Sequence, residues 1–262
     1  MSTANPVALV TGASSGIGEA FARALAARGD DLVVVARDEA RLEQLAESLE
    51  QEHGVEVEVL ASDLASPKGC AVVEARLETS DPAVDLLVNN AGVGTFGRFA
   101  GLPGAAEARQ VRLNVLAVVQ LSHAALPGMI ERGRGGVINV SSLAGHQPTP
   151  LNATYGATKA FVTSFSHALH EEVRGTGVNV MVLCPGFTRT EFQERAGIDP
   201  GAVPSFMWQS ADAVVAAALQ AYEHGRAVCV PGRLNQAGAV FSSALPAGVT
   251  RRIAAAVVSR VE

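Results

Sequence analysis

The sequence is poor in lysine and cysteine. Its 262 residues include 20 basic residues, of which only Lys68 and Lys159 are lysines, and three widely spaced cysteines. An odd number of isolated cysteines argues against a disulfide framework or a CxxC metal site, so no metal site is predicted. The same pattern is typical of a protein from the reducing cytoplasm.

Long runs of one chemical character are also missing. No apolar run approaches membrane-spanning length, and no basic run accompanies the net charge of −6. These absences argue against an integral membrane segment and against nucleic-acid partners, and they leave a small molecule as the expected partner. A predicted strand begins near residue 7, so no signal peptide is expected.

Short β-rich runs alternate with longer helical patterns along the chain. The predicted strands are residues 7–10, 32–36, 55–61, 85–89, 137–141, 178–183 and 227–230, and the clearest helical spacings cover 18–28, 38–52, 105–130 and 153–173. Strict alternation of this kind predicts a parallel sheet of about seven strands between two helical layers, a doubly wound α/β (Rossmann) fold. Polar and apolar residues alternate in the third run, which predicts an edge strand.

Nothing in the pattern divides the chain, so residues 1–262 are predicted to form a single domain. Two segments depart from the alternation. Residues 190–210 are irregular, rich in glycine and proline, and contain an isolated Phe206-Met207-Trp208 cluster, which predicts a substrate lid. Residues 231–262 form a C-terminal extension with partial amphipathic spacing.

Tyr155 and Lys159 are four residues apart in a predicted helix, so their side chains share one face. An ammonium beside a phenol favours the phenolate, and we expect it to lower the pKa of Tyr155 from about 10. Ser142 stands 13 residues earlier, at the end of a predicted strand. A hydroxyl donor, an acidified phenol and a cation are suited to a carbonyl that accepts a hydride and a proton.

A glycine-rich segment follows the first strand and opens the first helix. It contains Gly12, Ser14, Ser15, Gly16, Ile17 and Gly18. Glycines let the backbone approach a pyrophosphate, and the helix N-terminus offers free amides. In this strand–turn–helix context the segment predicts a dinucleotide site rather than an empty turn.

The end of the second strand carries Arg37 and Asp38. Arg37 is placed to pair with a 2′-phosphate, which favours NADP (NADPH) over NAD, although a solvated turn arginine is the alternative. Asp38 is expected to cap the next helix.

Further motifs follow in order: Asp63-Leu64, Asn89-Asn90-Ala91-Gly92, Asn114, Ser142, Tyr155 to Lys159, and Pro185-Gly186. Over roughly residues 5–190 the set resembles the short, single-domain branch of the short-chain dehydrogenase/reductase superfamily. The resemblance implies that Asp63 contacts the adenine amino group, that Leu64 lines its pocket, and that Asn90, Ala91 and Gly92 border the cofactor cleft. It also implies that Pro185, Gly186, Thr188 and Thr190 surround the nicotinamide.

The resemblance further implies a catalytic set of Asn114, Ser142, Tyr155 and Lys159. Ser142 would polarise the carbonyl, and Tyr155 would act as general acid, or as base in alcohol oxidation. Lys159 would stabilise the tyrosinate and hold the nicotinamide ribose, while Asn114 would anchor a water that relays protons.

The sequence therefore predicts an NADP-dependent oxidoreductase acting on a carbonyl or a secondary alcohol. A 3-oxoacyl-thioester reductase is the alternative, weakened by the long C-terminal extension. A catalytically inactive nucleotide-sensing protein is disfavoured, because Ser142, Tyr155 and Lys159 are all present. Apolar faces on the helices predicted at 105–130 and 153–173, together with the resemblance, imply a homodimer or homotetramer.

Overall fold

The computed structural model describes residues 5–197 and 204–244. Within these ranges the strands form one parallel seven-stranded sheet in the order β3-β2-β1-β4-β5-β6-β7. The strands are β1 (Val7–Thr11), β2 (Asp31–Ala36), β3 (Val57–Ala61), β4 (Leu86–Asn89), β5 (Gly135–Val140), β6 (Val178–Leu183) and β7 (Val228–Cys229).

Helices cover both faces of the sheet. The helices are α1 (Gly16–Ala26), α2 (Glu39–His53), α3 (Pro67–Leu77), α4 (Gly104–Val111), α5 (Ala117–Arg132), α6 (Ala153–Glu172), α7 (Phe192–Ala196), α8 (Ala211–Glu223) and α9 (Arg233–Ala244). Because side chains alternate along a strand, Val10 of β1 packs with α1, α2 and α8, whereas Leu9 packs on the opposite face with α3 and α5. The predicted three-layer fold is confirmed.

The sheet order creates the crevice in which a ligand is expected. The chain runs outward from β1 to β3 and then returns to place β4 on the other side of β1. Ligands of open α/β sheets bind at the carboxyl ends of the strands where this reversal occurs. The ends of β1 and β4, at Thr11 and Asn89, mark that position.

Most element boundaries agree with the sequence prediction, and β3 lies at an edge of the sheet as expected. Two elements differ. β7, at the other edge, comprises only Val228 and Cys229, the two residues that pair with Val182 and Leu183 of β6. The helix predicted at 105–130 is interrupted by a π-helical turn, Arg112–Leu116, between α4 and α5.

One helical stretch in the described ranges, Gly104–Arg132, is long and apolar enough to cross a membrane by length and composition. Polar side chains, among them Asn114 and Gln120, interrupt its apolar runs. Of its most apolar window, 56% is buried inside the fold, as in a core helix. Parts of the predicted lid, 198–203, and of the extension, 245–262, lie outside the described residues.

Candidate active site

The turn between β1 and α1 requires glycine at several positions. Gly12 and Gly16 have φ angles of +68° and +61°, in the left-handed region that glycine tolerates best. A Cβ at Gly18 would collide with the Gly12 carbonyl oxygen. The segment therefore brings its backbone unusually close to whatever lies over the N-terminus of α1.

Asn90 ties the end of β4 to this turn. Its Nδ2 donates to the Thr11 carbonyl at 2.8 Å, and its backbone N–H donates to Thr11 Oγ1 at 2.9 Å. The Ala91 N–H donates to the same hydroxyl at 3.0 Å. These bonds fix the crevice between β1 and β4. Beneath them Asn89 is the buried last residue of β4, where the predicted strand 85–89 also ends, and its Nδ2 donates to Asn139 Oδ1 at 2.9 Å.

Charged side chains gather at the ends of β2 and β3. Arg37 is exposed, and Asp38 caps α2 as predicted, accepting from the Arg41 N–H at 3.2 Å. Asp63 forms a two-point ion pair with Arg109 of α4, and this hydrogen bonding lowers the pKa of the Asp63 carboxyl, with a smaller contribution from Arg37. Leu64 is buried beside it. No sequence pattern points to Arg109, because the pair joins segments that are distant in the chain.

Tyr155 and Ser142 meet at the carboxyl end of β5. Ser142 precedes a short 3₁₀ turn and its Oγ accepts from the Ala144 N–H at 3.1 Å. Its hydroxyl lies close enough to Tyr155 to lower the pKa of the phenol. A phenol and a hydroxyl placed side by side are positioned to share one carbonyl oxygen.

Lys159 is buried one turn further along α6. Its Nζ donates to the Val140 carbonyl at 2.7 Å and lies 5.7 Å from the centroid of the Tyr155 ring. The backbone carbonyl of Lys159 accepts from Ser141 Oγ at 2.8 Å, which joins α6 to the end of β5. A Cβ at Gly92 would lie 3.6 Å from Nζ, so glycine keeps the space beside the ammonium open.

The prediction that Lys159 lowers the pKa of Tyr155 is wrong in this structure. Burial raises the pKa of Tyr155 to about 12, and the hydrogen bond from Ser142 only partly opposes it. Burial also lowers the pKa of Lys159 to about 8. Desolvation of the phenolate therefore raises the pKa of Tyr155 by more than the neighbouring groups lower it.

Asn114 is fully buried in the π-helical turn. Its Oδ1 accepts from the Val93 N–H at 3.0 Å, and its Nδ2 donates to the Val93 carbonyl at 2.9 Å and to Thr158 Oγ1 at 3.1 Å. These bonds hold the loop after β4 against α6. A π-helical turn at such a residue is common in functional sites.

The segment after β6 closes the other side of the crevice. The Pro185 carbonyl accepts from the Leu143 N–H at 3.0 Å. Thr188 Oγ1 donates to the Gly186 carbonyl at 3.2 Å. A Cβ at Gly16 would lie 2.9 Å from the Thr190 methyl group, so the lid begins directly over the glycine turn.

Gln193 and Phe192 of α7 organise this closure, and neither has a sequence signal. Gln193 Nε2 donates to the Thr188 carbonyl at 2.9 Å. The ring of Phe192 lies 5.5 Å from that of Tyr155. A Cβ at Gly94 would lie 3.5 Å from the Tyr155 ring and 3.0 Å from the ring of Phe192. Tyr155 is thus enclosed between the loop after β4 and the lid.

The rest of the described lid is anchored by side chains. Trp208 packs against Phe187 with ring centroids 5.6 Å apart. Asn235, at the start of α9, donates to Gln209 Oε1 at 2.9 Å and lies against Gly186. The beginning of the C-terminal extension therefore supports the lid.

The geometry fits a dinucleotide across this crevice. The backbone amides at α1, Gly92, exposed Arg37 and the Asp63 carboxylate all follow the carboxyl ends of neighbouring strands, on the edge of the sheet that Tyr155 and Lys159 also border. The described residues contain no group of three or more side chains suited to a metal ion. The arrangement is that of an acid–base site beside a nucleotide cleft.

Comparison with known proteins gives a family match. A family profile described as short chain dehydrogenase matches residues 6–201. The very-long-chain 3-oxoacyl-CoA reductase of Anas platyrhynchos is 34% identical over 192 residues, which cover 71% of this chain and 61% of that protein. The chain therefore spans about three fifths of the length of this curated relative.

Solved structures resemble nearly the whole chain. A short-chain dehydrogenase from Sphingobium yanoikuyae in complex with NADPH is 38% identical with a TM-score of 0.83, covering 92% of this chain and 96% of that one. The bulky-bulky ketone specific alcohol dehydrogenase from Comamonas testosteroni is 34% identical with a TM-score of 0.79, covering 93% and 96%.

Proposed function

The chain belongs to the short-chain dehydrogenase/reductase family and is an oxidoreductase, and from this premise we propose that it is an NADP-dependent carbonyl reductase for bulky apolar substrates. The reverse reaction would oxidise a secondary alcohol. The placement of Ser142 beside Tyr155, one helical turn from buried Lys159, carries the proposal.

The residues divide the proton chemistry among them. When bound, the cofactor supplies the hydride. With a pKa of about 12 Tyr155 is protonated at neutral pH and donates its proton to the carbonyl oxygen, which the Ser142 hydroxyl polarises. Lys159, with a pKa of about 8, is largely charged at neutral pH and stabilises the phenolate that remains. Asn114 holds the loop that borders Lys159 and anchors a relay water.

The cofactor assignment rests on the adenosine end of the cleft. Arg37 is the exposed cation that follows β2, where a 2′-phosphate would lie. It also lowers the pKa of Asp63, so it lies within electrostatic reach of that carboxylate. The NADPH bound to the Sphingobium yanoikuyae relative supports the same choice.

The substrate class rests on the apolar surroundings of Tyr155. Phe192 covers the phenol, and Phe96 belongs to the loop whose Gly94 adjoins it. The lid exposes Phe187, Phe206 and Met207. Aromatic and aliphatic linings of this kind favour bulky apolar ligands. The ketone specificity printed for the Comamonas testosteroni relative points in the same direction.

A 3-oxoacyl-thioester reductase is the second candidate. It is favoured by the name of the Anas platyrhynchos relative, of which the match covers 61%. The reacting group would still be a ketone beside Tyr155, and an acyl chain would use the same apolar lid. The two candidates differ in whether the thioester group is required.

The assembly and location are proposed from the surface and the cysteines. Val111, Leu116 and Phe161 are 44%, 50% and 42% exposed on the α4–α5 stretch and on α6. A two-fold axis beside these helices would bury them, giving a homodimer or homotetramer. Cys70, Cys184 and Cys229 are free and buried, which suits the cytoplasm.

A substrate panel tests the proposal. Oxidation of NADPH, and of NADH in parallel, is followed with bulky ketones, aldehydes and 3-oxoacyl thioesters. We expect turnover with bulky ketones and NADPH, and an Arg37→Ala variant that loses NADPH affinity but keeps that for NADH. Turnover confined to thioesters would favour the second candidate. Tight NADPH binding without turnover on any carbonyl would favour a nucleotide-sensing protein.

A further inference from the structure

The Asp63 carboxylate is held by a side chain from helix α4. Arg109 of α4 donates from Nη2 to Asp63 Oδ1 at 2.8 Å and from Nη1 to Oδ2 at 3.0 Å. The Ala65 N–H also donates to Oδ1 at 3.1 Å. Both side chains of the pair are 36% exposed, so the pair borders solvent in the cleft.

The two carboxylate oxygens of Asp63 are engaged unequally. A carboxylate oxygen offers about two lone pairs to donors. Among the contacts of the described residues, Oδ1 accepts two hydrogen bonds and Oδ2 accepts one. Oδ2 therefore retains the lone pair available to a ligand, and the two-point contact with Arg109 fixes the plane in which that lone pair points.

The available ligand atom must be a donor. Asp63 follows β3 beside buried Leu64, at the adenosine end of the cleft, and an adenine there offers an exocyclic amino group. A hypoxanthine ring has an oxygen at the same position, which would face the carboxylate as a second acceptor. Discrimination between these bases then depends on where the Asp63 carboxylate points.

We propose that Arg109 is a positioning residue that aims Oδ2 of Asp63 at the adenine amino group and makes this enzyme select adenine over hypoxanthine dinucleotides. The inference rests on the proposed NADP-binding function. A purely electrostatic role for Arg109 would require only a positive charge near Asp63. Positioning requires the planar fork, which lysine lacks.

The test measures dissociation constants by titration calorimetry for NADPH and for its reduced hypoxanthine analogue. The ratio of the two constants cancels effects of the 2′-phosphate, which both ligands carry. The variants are Arg109→Met, Arg109→Lys, Asp63→Ala and the double variant Arg109→Met with Asp63→Ala. Arg112→Met makes the same change at an exposed arginine three residues along the chain and serves as the matched control.

We expect wild type and Arg112→Met to prefer NADPH by about tenfold or more, the worth of a hydrogen bond to a charged group. Arg109→Met and Arg109→Lys should reduce the ratio to within about threefold of unity, and Asp63→Ala should abolish it. In the Asp63→Ala background the Arg109 substitution should change the ratio no further.

Several results would overturn the proposal. If Arg109→Met kept the wild-type ratio of dissociation constants, Asp63 would need no positioning residue. If Arg109→Lys kept that ratio, Arg109 would act only through its positive charge. If wild type bound both dinucleotides equally, the chain would not recognise adenine through Asp63, although the proposed function would still stand. Wild type that binds neither would refute the proposed function as well.

Discussion

The catalytic wall, built by β5 and α6, and the described parts of the lid with the segment that leads into it, residues 186–197 and 204–209, are held in different ways. In the wall, buried polar groups are tied to backbone atoms of regular elements, as Lys159 Nζ is to the Val140 carbonyl at 2.7 Å. In the lid, a few side chains link irregular segments, as Gln193 does to Thr188. The difference indicates that the chemistry is fixed by the core of the fold, and that substrate choice is set by a separable cover.

The two regions also differ in their expected energetics. Leaving a buried partner of the wall unsatisfied costs about 1–3 kcal/mol. The ion pair from Arg41 of α2 to Glu191 at the start of the lid is 46% and 44% exposed on its two sides, so solvent screens it and it contributes little to stability. Substitutions in the wall should therefore have larger effects than those in the lid.

Removing the phenolic hydroxyl from the wall should have the largest effect. Tyr155→Phe should lower reductase turnover about 10²–10⁴-fold, the usual worth of a positioned proton donor. NADPH affinity should change little, because the phenol serves the carbonyl. Steady-state rates and calorimetric binding check both parts. Tyr222→Phe, at the other tyrosine of the sequence, is the matched control and should keep wild-type turnover.

Neutralising the buried ammonium should alter how stability depends on pH. The pKa of Lys159 is lowered from 10.5 to about 8 in the folded chain, so between these values the unfolded chain binds more protons. The free energy of unfolding of wild type should therefore rise with pH in this window, by about 3 kcal/mol from this group. Lys159→Met should lack that rise. Urea unfolding of both proteins at pH 7 and pH 10 measures the difference, and parallel changes would contradict the buried-charge account.

Opening the lid over the catalytic wall should change the pH profile and KM of the enzyme without abolishing its turnover. Phe192 contacts the Tyr155 ring, and burial is the main cause of the raised pKa of that phenol. Phe192→Ala should admit water, lower the pKa of Tyr155 from about 12 towards 10, and move the pH profile of alcohol oxidation to lower pH. It should also raise KM for bulky ketones by about tenfold, since an apolar ring no longer packs on the substrate.

Phe187→Ala controls for loss of an aromatic ring in the lid, because Phe187 packs against Trp208. Its pH profile should stay at the wild-type position. A profile of Phe192→Ala that coincides with wild type would show that the lid and the wall are independent.

Cutting the surface link between α2 and the lid should have the smallest effect. Glu191→Gln removes the charge that pairs with Arg41 at 3.0 Å. The dissociation constant for NADPH should change by at most about fivefold, and high salt should suppress the difference. Glu223→Gln breaks a comparable exposed pair with Arg28 and should leave binding unchanged. A larger effect of Glu191→Gln would mean that the lid is held more firmly than its exposure implies.

The same contrast explains what the sequence predicted. The spacing of Tyr155 and Lys159 and the strand before Ser142 depend on local periodicity, so they were readable, as was the parallel sheet. The direction of the pKa shift of Tyr155 could not be predicted. The spacing identifies a neighbouring cation, but it does not show the burial whose effect outweighs that cation. The π-helical turn at Asn114 depends on bonds to Val93, a partner from another segment.

The irregular composition of residues 190–210 predicts a lid but not the contacts that hold it. Its supports, such as the bond from Asn235 to Gln209 and the packing of Phe192 on Tyr155, join residues far apart in the chain. Side-chain contacts of this kind produce no periodic pattern in the sequence. Arg109, which holds Asp63, escaped notice for the same reason.

Transfer of deuterium tests the central claim most directly. NADPH carrying deuterium at both C4 positions of the nicotinamide is incubated with a bulky ketone and either wild type or Tyr155→Phe, and the product alcohol is examined by mass spectrometry. We predict one deuterium on the carbinol carbon for each NADPH consumed by wild type, and a rate about 10²–10⁴-fold lower for the variant. Alcohol formed without deuterium, or labelled at the wild-type rate by Tyr155→Phe, would contradict the account.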